Sequence, residues 1–403
     1  MQVRIVEKFG GSSLKTVEYI EAVAERVKAV WDQGHQVVVV VSAMGDTTDD
    51  LLAKAERLDG RESPQNLDVL VMTGEMQSAA LMAMALVRLG VSAQALTGAQ
   101  AGIRTTSDFG RARIESIDPS LLEHLLDQAV VPVVTGFQGI SHDGFYTTLG
   151  RGGSDLTAIA LASALGADSC EIYSDVPGVF TADPRIVPNA KALQALSYDE
   201  MLELASQGAQ VLQTQAVLYA RQSGVPVDAR STFEHKPGTR IANGGGAPSQ
   251  PVTAVALDMH VTKIGLMGVP DRPGVAAYAC DQLARAGINI DLVFQALSHE
   301  NARADIALTV ADADRNQAVA VCRQTLKDLG GADLVVDGGI AKVSAVGAGV
   351  RNHVGVAATV FRALADARIN IQMISTSEIK ISCIVARGDA ERALNQVHNA
   401  FEL

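Results

Sequence analysis

Cysteine is scarce in this sequence: four in 403 residues, at Cys170, Cys280, Cys322 and Cys383. They lie far apart and form no Cys-x-x-Cys pair, so they read as reduced core cysteines of a cytoplasmic protein. Positive charge is also short, with 33 Lys and Arg against 45 Asp and Glu and a net charge of −12. That balance disfavours nucleic acid as a partner. An acidic protein that binds phosphates must do so locally, through loops, metal ions and a few lysines or arginines. No run of 18 apolar residues is present, so no membrane partner is expected. No basic start followed by an apolar stretch resembles a signal peptide. What remains is a composition of 48% hydrophobic and 19% charged residues, ordinary for a soluble globular protein. The length suits two or three domains.

The first stretch with chemistry in it is Val3-Arg4-Ile5-Val6-Glu7-Lys8-Phe9-Gly10-Gly11-Ser12-Ser13. A short β-type run ends in a lysine, two glycines and two hydroxyl residues, and a helix is expected directly afterwards. Adjacent glycines turn tightly and present backbone N–H groups without a Cβ in the way. A helix N-terminus behind the loop adds partial positive charge where an anion would sit, and Lys8 adds a full charge. The stretch reads either as a phosphate-handling loop or as a strand-to-helix turn with a solvated lysine.

Val17, Ile20, Val23, Ala24, Val27, Val30 and Trp31 recur near a 3.6-residue period, and Gly34 stops that helix. Val37 to Val41 is an unbroken β-branched run, as expected of a central parallel strand covered on both faces. Strand, crossover helix and strand predict a doubly wound α/β sheet, whose ligands bind at the carboxyl ends of the strands. The loop Ser42-Ala43-Met44-Gly45-Asp46-Thr47-Thr48 leaves such an end. Thr73-Gly74-Glu75 precedes an Ala- and Met-rich helix from Met76 to Leu89. Glu75 reads as a first-turn charge complementing the helix dipole or as a ligand for a substrate ammonium, and its local pattern favours the former. A buried strand from Val130 to Thr135 leads to Gly136-Phe137-Gln138-Gly139 and a hairpin-like stretch from Ile140 to Thr148.

A second glycine-rich stretch is Thr147-Thr148-Leu149-Gly150-Arg151-Gly152-Gly153-Ser154-Asp155. Ser154 or Asp155 is expected to cap a helix from Leu156 to Leu165 that ends at Gly166. Three glycines around one arginine suit a carboxylate or phosphate, and the bidentate fork of Arg151 has no use in a purely structural turn. The strand Glu171-Ile172-Tyr173 opens into Ser174-Asp175-Val176-Pro177-Gly178-Val179-Phe180-Thr181-Ala182-Asp183-Pro184-Arg185. Its prolines, glycine and acids are partly turn chemistry. The functional reading is a nucleotide loop, with its acids near Mg²⁺ and Arg185 near phosphate. Helical segments at 198–204 and 209–219 follow, and Glu234 to Val252 reads by composition as a linker.

Beyond it lies an internal repeat. Met267 to Ala277 leads through a helix to Ala286-Gly287-Ile288-Asn289-Ile290-Asp291. Val346 to Ala358 leads likewise to Ala367-Arg368-Ile369-Asn370-Ile371. Gly274 to Gly355 and Asn289 to Asn370 are both 81 residues apart. Strand, glycine-bearing loop, helix and second strand, occurring twice, predict two copies of a small α+β module. Its loop at a helix N-terminus suits the carboxylate of a small amino acid, or the pair is a duplicated packing unit.

Taken together these segments strongly resemble the aspartate kinase family over essentially the whole chain. The carriers are Lys8-Phe9-Gly10-Gly11-Ser12-Ser13, Val41-Ser42-Ala43-Met44-Gly45, Thr73-Gly74-Glu75, Gly150 to Asp155, Ser174-Asp175-Val176 with Thr181 to Arg185, and Ile374-Ser375-Thr376-Ser377-Glu378-Ile379. The resemblance implies an amino-acid-kinase fold over 1–235, a linker over 236–252, and two ferredoxin-like ACT domains over 253–337 and 338–403. It implies transfer of the γ-phosphoryl group of MgATP to the side-chain carboxylate of L-aspartate, a nucleophile already ionised at neutral pH.

The family's site residues carry over as follows. Lys8, with the Gly10 and Gly11 amides, would neutralise the transferring group, and Asp155 would orient Lys8. Arg151 would clamp the α-carboxylate and Glu75 would take the ammonium, which reverses the reading of Glu75 as a cap. Ser42, Thr47, Thr48, Gly152, Gly153 and Ser154 would complete the aspartate pocket. Phe9, Ser174, Asp175 and Phe180 to Arg185 would hold the nucleotide, with Mg²⁺ carried by ATP rather than by dedicated protein ligands. The family commonly has a phosphate-contacting lysine where this sequence reads Gly208-Ala209-Gln210-Val211-Leu212, so Gln210 is kept as an uncharged nucleotide contact. The ACT pair implies feedback control by lysine and/or threonine and a homodimer or higher oligomer formed through these domains. Effector candidates are Asp271, Gly274, Val275, Ala276, Asn289, Ile290, Asp291, Gln295, Asn370 and Ile371. A same-fold rival is a kinase for glutamate or acetylglutamate, against which the Arg151/Glu75 pairing argues. A rival of another class is an amino-acid sensor that has lost catalysis, against which Lys8, Arg151 and Asp155 argue. The length leaves no room for a dehydrogenase domain after Leu403.

Overall fold

The valines of Val37–Val41 are all at most 1% exposed, and the strand they form lies inside the largest sheet of the computed structural model. The structure describes residues 2–150, 152–208, 211–234, 236–244, 250–297 and 302–403. Arg151 and Gln210 therefore lie outside the described residues. The chain forms two units, Met1–Phe180 with Ala192–Ala247, and Thr181–Lys191 with Pro248–Leu403.

The first unit begins with β1 (Arg4–Phe9), α1 (Val17–Trp31), β2 (Gln36–Val41), α2 (Thr47–Glu56), α3 (Pro64–Val71), α4 (Thr73–Arg88), β3 (Ala93–Leu96), β4 (Ile103–Thr105) and β5 (Ile114–Ile117). It continues with α5 (Ser120–Asp127), β6 (Val131–Thr135), β7 (Gln138–Ser141), β8 (Tyr146–Thr148), α6 (Gly153–Ala164), β9 (Ser169–Ser174), β10 (Ala195–Leu196), α7 (Tyr198–Ser206), α8 (Thr214–Ser223), β11 (Val227–Ser231) and β12 (Thr239–Ile241). The main sheet has the order β10-β12-β11-β9-β1-β2-β6-β3, and only the β11–β12 pair is antiparallel. A four-stranded sheet, β5-β4-β7-β8, carries the hairpin.

Alternation along the strands sorts the two faces. Phe9, Val37, Val39 and Val41 pack with Ile20, Val23, Val27, Met82 and Leu86 of α1 and α4. The opposite face, with Val6, Lys8, Val38 and Val40, looks toward α6, whose Ala158 to Ala162 are all fully buried. Burying one valine contributes about 1.5–3 kcal/mol, so the apolar strands carry the unit. Because β2 and β9 flank β1 on opposite sides, the loops leaving β1, β2 and β9 converge at one end, the switch point where such sheets bind ligands.

Local details differ from the sequence expectations. Helix α1 starts at Val17 rather than directly after Ser13; a single 3₁₀ turn, Gly11–Leu14, comes before it, and Thr16 caps α1 by accepting from Tyr19 N–H. The cap of α6 is Gly152 in the left-handed region (φ 73°), with Ser154 and Asp155 inside the first turn. The stretch expected to be linker contains β12, which pairs with β10 and β11. The α3–α4 stretch, Pro64–Arg88, is long and apolar enough to cross a membrane by length and composition. Ten of its 25 residues are buried inside the structure, and α4 packs against the sheet as a core helix.

The second unit consists of β13 (Ala254–Asp258), β14 (Val261–Pro270), α9 (Val275–Arg285), β15 (Leu292–Leu297), β16 (Arg303–Ala311), α10 (Arg315–Leu329), β17 (Asp333–Asp337), β18 (Ile340–Val346), α11 (Val356–Asp366), β19 (Met373–Thr376), β20 (Lys380–Ala386) and α12 (Ala390–Ala400). Two antiparallel sheets result, β15-β16-β14-β17 and β13-β18-β20-β19. Although β13 precedes the first module in the chain, it pairs with β18 and completes the second, so the first module is inserted into the second. Gly274 and Gly355 sit at φ 95° and 96° as the N-caps of α9 and α11, so the 81-residue repeat is a repeat of backbone. A Cβ at either glycine would meet nothing within 4 Å, so the positive φ, not space, is what asks for glycine there.

Thr181–Lys191 also belongs to this unit. Ala182 and Val187 are buried in one core cluster with Val343, Leu394 and Val397, and the Thr181 hydroxyl lies 2.9 Å from His398 Nε2.

Candidate active site

Lys8 is placed on β1 between Val40 of β2 and Ile172 of β9, on the face that α6 covers. Its Nζ forms an ion pair of 2.6 Å with Asp155 Oδ1, both side chains 10% exposed. Asp155 stands in the first turn of α6, where a carboxylate complements the helix dipole. The pair lies in the lining of a cavity of about 560 Å³, shared with Gly11, Ser42, Thr48, Glu75, Thr148, Gly150, Gly152, Gly153 and Ser154. Residues separated by up to 205 positions in the chain, from Lys8 to Gln213, thus line one cavity, as the sheet's switch point predicts.

Gly11 is required by space. A Cβ there would approach Ala43 O to 2.9 Å and Gly45 O to 3.1 Å, and Gly45 N–H donates to Gly11 O. Gly152 is equally tight, because a Cβ would overlap the Gln213 side chain. Gly10 differs from expectation: its N–H donates to Tyr173 O at 3.1 Å and so is committed to the fold.

Glu75, 3% exposed in the first turn of α4, accepts from Ala43 N–H through Oε1 at 3.2 Å. Its Oε2 is buried and has no hydrogen-bond partner. Burial pushes the carboxyl up to about 7, opposed by its hydrogen bonds to backbone N–H groups. A buried acceptor without a donor, in a cavity wall, is a place for a ligand's N–H.

Several sequence candidates are not in the lining of this cavity. The Thr47 hydroxyl donates to Met44 O at 2.6 Å, and Thr47 does not line the cavity. The Phe9 ring is fully buried and stacked on Tyr173 with centroids 4.8 Å apart, so its side chain belongs to the core. Ser174 and Asp175 leave β9 beside the turn after β1, where Ser12 Oγ lies 3.5 Å from Asp175 Oδ1. Phe180 bridges to Ala192 at the edge of the first unit. Thr181 to Arg185 belong to the second unit, where Arg185 forms a surface ion pair with Asp183 at 2.7 Å.

Cavity residues to which the sequence reading gave no role are Ala43, Gly45, Asp49, Leu52, Leu67, Asp68, Val71, Gly110, Phe137, Thr148 and Gln213. For Phe137 a signal existed, its place after Gly136 just past a buried strand; in the fold it adopts φ 69°, uncommon for a bulky residue. For Asp68 there was none. Among the described residues, no group of three or more His, Cys, Asp and Glu is placed to hold a metal ion.

In the second unit, Gly274 and Val275 line an open cavity of about 490 Å³ with Arg272, Pro273, Tyr278, Asp328 and Leu329. Asp271, Asn289 and Asn370 are exposed in loops, and Gln295 is exposed on β15. Asp291 is already engaged: its Oδ2 lies 2.5 Å from Nζ of Lys342, a lysine only 2% exposed.

Residues 3–228 match the amino acid kinase family, and 264–326 with 343–401 match the ACT domain. An aspartokinase of Mycolicibacterium smegmatis is 46% identical over 406 residues, covering 99% of this chain and 96% of the relative. One of Thermus thermophilus is 44% identical over 400 residues, covering 99% and 98%. Aspartokinase III of E. coli in complex with aspartate and ADP superposes with a TM-score of 0.79 at 28% identity, covering 98% of this chain and 99% of that one. The same enzyme in complex with lysine and aspartate gives 0.76 at 28%, covering 99% of each.

Proposed function

Since this chain belongs to the aspartokinase family, ATP-dependent kinases acting on the carboxyl group of aspartate, we propose that it forms 4-phospho-L-aspartate from L-aspartate and MgATP. The observation that carries the assignment is the Lys8–Asp155 ion pair in one cavity with the unpartnered Glu75 oxygen. A β-carboxylate oxygen of aspartate attacks the γ-phosphorus, the bond to the β–γ bridging oxygen breaks, and ADP leaves with that electron pair. No proton is removed from the nucleophile, so the site needs positioning and positive charge rather than a general base.

Lys8 meets the negative charge on the transferring group, and Asp155 fixes the direction of its ammonium. Glu75 Oε2 takes the substrate ammonium, which favours the ionised carboxylate against the effect of burial. Ser42, Thr48 and the turn Gly152–Ser154 enclose the substrate, with Arg151 on its α-carboxylate. Gly11, Ser174, Asp175 and Phe180 serve the nucleotide, and Gln210 adds an uncharged contact. Mg²⁺ would be carried by the ATP phosphates and would neutralise their charge, with Asp155 in the cavity wall available to its shell.

We assign the two ACT modules to feedback control by lysine and/or threonine, which the lysine complex of the E. coli relative supports. Asp271, Gly274, Val275, Ala276, Asn289, Ile290, Gln295, Asn370 and Ile371 remain the effector candidates. An effector ammonium at Asp291 would share that carboxylate with Lys342. Edge strands β15 and β19 expose Val293, Phe294 and Ile374 at 47–52%, which supports a dimer or higher oligomer formed there. The product places the enzyme at the entry to lysine, threonine, methionine and diaminopimelate biosynthesis, in the cytoplasm.

Aspartyl hydroxamate formation with MgATP, hydroxylamine and L-aspartate tests the activity, and background-level hydroxamate overturns it. The same assay with lysine and threonine, singly and together, tests control; undiminished rates under all three conditions remove the feedback assignment.

A further inference from the structure

Asp68 lies in the middle of α3, 2% exposed, with its carboxylate in the cavity wall. Oδ2 accepts two backbone N–H groups, from Gly110 at 3.0 Å and from Thr148 at 2.9 Å. Oδ1 accepts the Thr148 hydroxyl at 2.8 Å. These partners stand 42 and 80 residues away in the chain, and both line the same cavity. We propose that Asp68 is a positioning residue for aspartate binding: its three hydrogen bonds lock the loop at Gly110 to the end of β8, fixing the glycine turn that follows. The proposal rests on the functional reading above and goes beyond it, since it concerns a residue that does not itself meet substrate.

The contacts of Asp68 extend toward the turn. Thr148 is held at its N–H and hydroxyl by Asp68 and at its carbonyl by Ala112 N–H, 2.8 Å away. The next residue, Leu149, donates to Phe137 O at 2.9 Å. Gly150 then turns at φ 76°, with so little room that a Cβ would come within 3.2 Å of Gly110 O. Gly110 is the other residue that Asp68 holds. One carboxylate therefore ties α3, the Gly110 loop and β8 into a frame around the start of the turn. Gly153 N–H donates to Gly150 O at 3.0 Å, Gly152 caps α6, and α6 presents Asp155 to Lys8.

The residue type follows from the donors. All three groups donate, and a carboxylate is acceptor-only, so both oxygens are used without a conflict. An amide can keep the frame: its oxygen takes the two N–H groups, and the Thr148 hydroxyl rotates to accept from the NH₂. Alanine leaves the buried N–H and hydroxyl of Thr148 unmatched and takes away the partner of Gly110 N–H, so the Gly110 loop is released. Asn and Ala variants therefore separate geometry from charge. If the negative charge acted directly on the substrate ammonium, Asn would be as damaging as Ala.

The test is steady-state hydroxamate kinetics of the full-length parent, Asp68→Asn and Asp68→Ala, with melting temperatures measured alongside. For Asp68→Ala, KM for aspartate rises about tenfold or more while KM for ATP stays within about twofold, the loss expected from a misplaced binding wall. For Asp68→Asn, KM for aspartate stays within about threefold of the parent, since the frame is kept. An unchanged KM for aspartate in Asp68→Ala overturns the proposal. Equal damage by Asn and Ala overturns it too, because charge would then be the cause. A matching rise in KM for ATP also overturns it, as the effect would be general. Should Asp68→Ala fail to fold, Asp68→Ser, whose one shorter oxygen cannot span both partners, takes its place under the same criteria. An inactive parent would sink the functional reading instead, so the two failures are distinguishable.

Discussion

Lys8 Nζ and Asp155 Oδ1 lie 2.6 Å apart, joining the central strand of the main sheet to the first turn of α6 with both side chains 10% exposed. A pair this sheltered couples stability to chemistry, because removing either partner strands the other away from water.

Lys8→Ala should lose roughly 10²–10³ in kcat or more, the usual effect of deleting one group aimed at transition-state charge. It should also cost about 3–5 kcal/mol in the first unit, because Asp155 is left buried and unpaired. Single-turnover kinetics and urea unfolding check the two effects. Asp155→Asn in the Lys8→Ala background should recover stability without recovering turnover.

Glu75 titrates where aspartate binding can be followed. Burial holds its carboxyl near 7 in the free protein, and only the ionised form attracts an ammonium. KM for aspartate should therefore fall as pH rises from 6 to 8, roughly tenfold per unit below the transition and levelling above it. In Glu75→Gln that dependence should vanish and KM should stay high throughout. A Glu75→Gln variant with parental KM at pH 8 would show that the ammonium goes elsewhere.

Glu7 faces the opposite side of β1 from Lys8, fully buried, with neither carboxylate oxygen hydrogen-bonded. Glu171 and Tyr173 of β9, Arg230 of β11 and Arg26 of α1 surround it. Burial first, then the Glu171 charge, raise its carboxyl from 4.5 to about 8, while Arg26 and Arg230 oppose the shift. Between those values the folded protein binds a proton that the unfolded chain has lost, so stability falls as pH rises through this window. The slope is at most about 1.4 kcal/mol per pH unit. Glu7→Gln should remove it, and its advantage over the parent in urea midpoint should grow from pH 5 to pH 8.

Lys342 and Asp291 form a contact inside the second unit, between β18 and the loop before β15. Lys342 is 2% exposed and the Asp291 side chain 32%. Asp258 is the second acid, at 3.8 Å. Asp291→Asn should cost roughly 2–3 kcal/mol, below the range for a fully buried pair because water reaches Asp291. Pairing it with Lys342→Met should restore most of that loss, as measured by chemical unfolding of the second unit.

Local pattern made a good part of this protein legible. The valine run announces a buried parallel strand because five β-branched residues in a row suit a strand covered on both faces. The spacing of Gly274 and Gly355 announces a repeated helix start, and both residues take the same positive φ. Lys8, Glu75 and Asp155 were legible as charges at strand ends and helix starts. The fate of Thr47, Phe9 and the Gly10 amide was not, since each is decided by a neighbour the local pattern does not name: Met44 O, the Tyr173 ring and Tyr173 O.

The sequence by itself determined the classes of structure: a doubly wound domain, a duplicated α+β module, and glycine loops with a lysine at a strand end. Those follow from periodicity and residue type, which act within a few residues. Only the tertiary structure decided that β13 completes the second module, that Thr181–Lys191 joins the core of the second unit, and that Asp68 holds Gly110 and Thr148. Each is a pairing across 42 to more than 80 residues, chosen because a strand edge, an apolar side chain or a buried carboxylate must be matched by whatever the fold brings alongside.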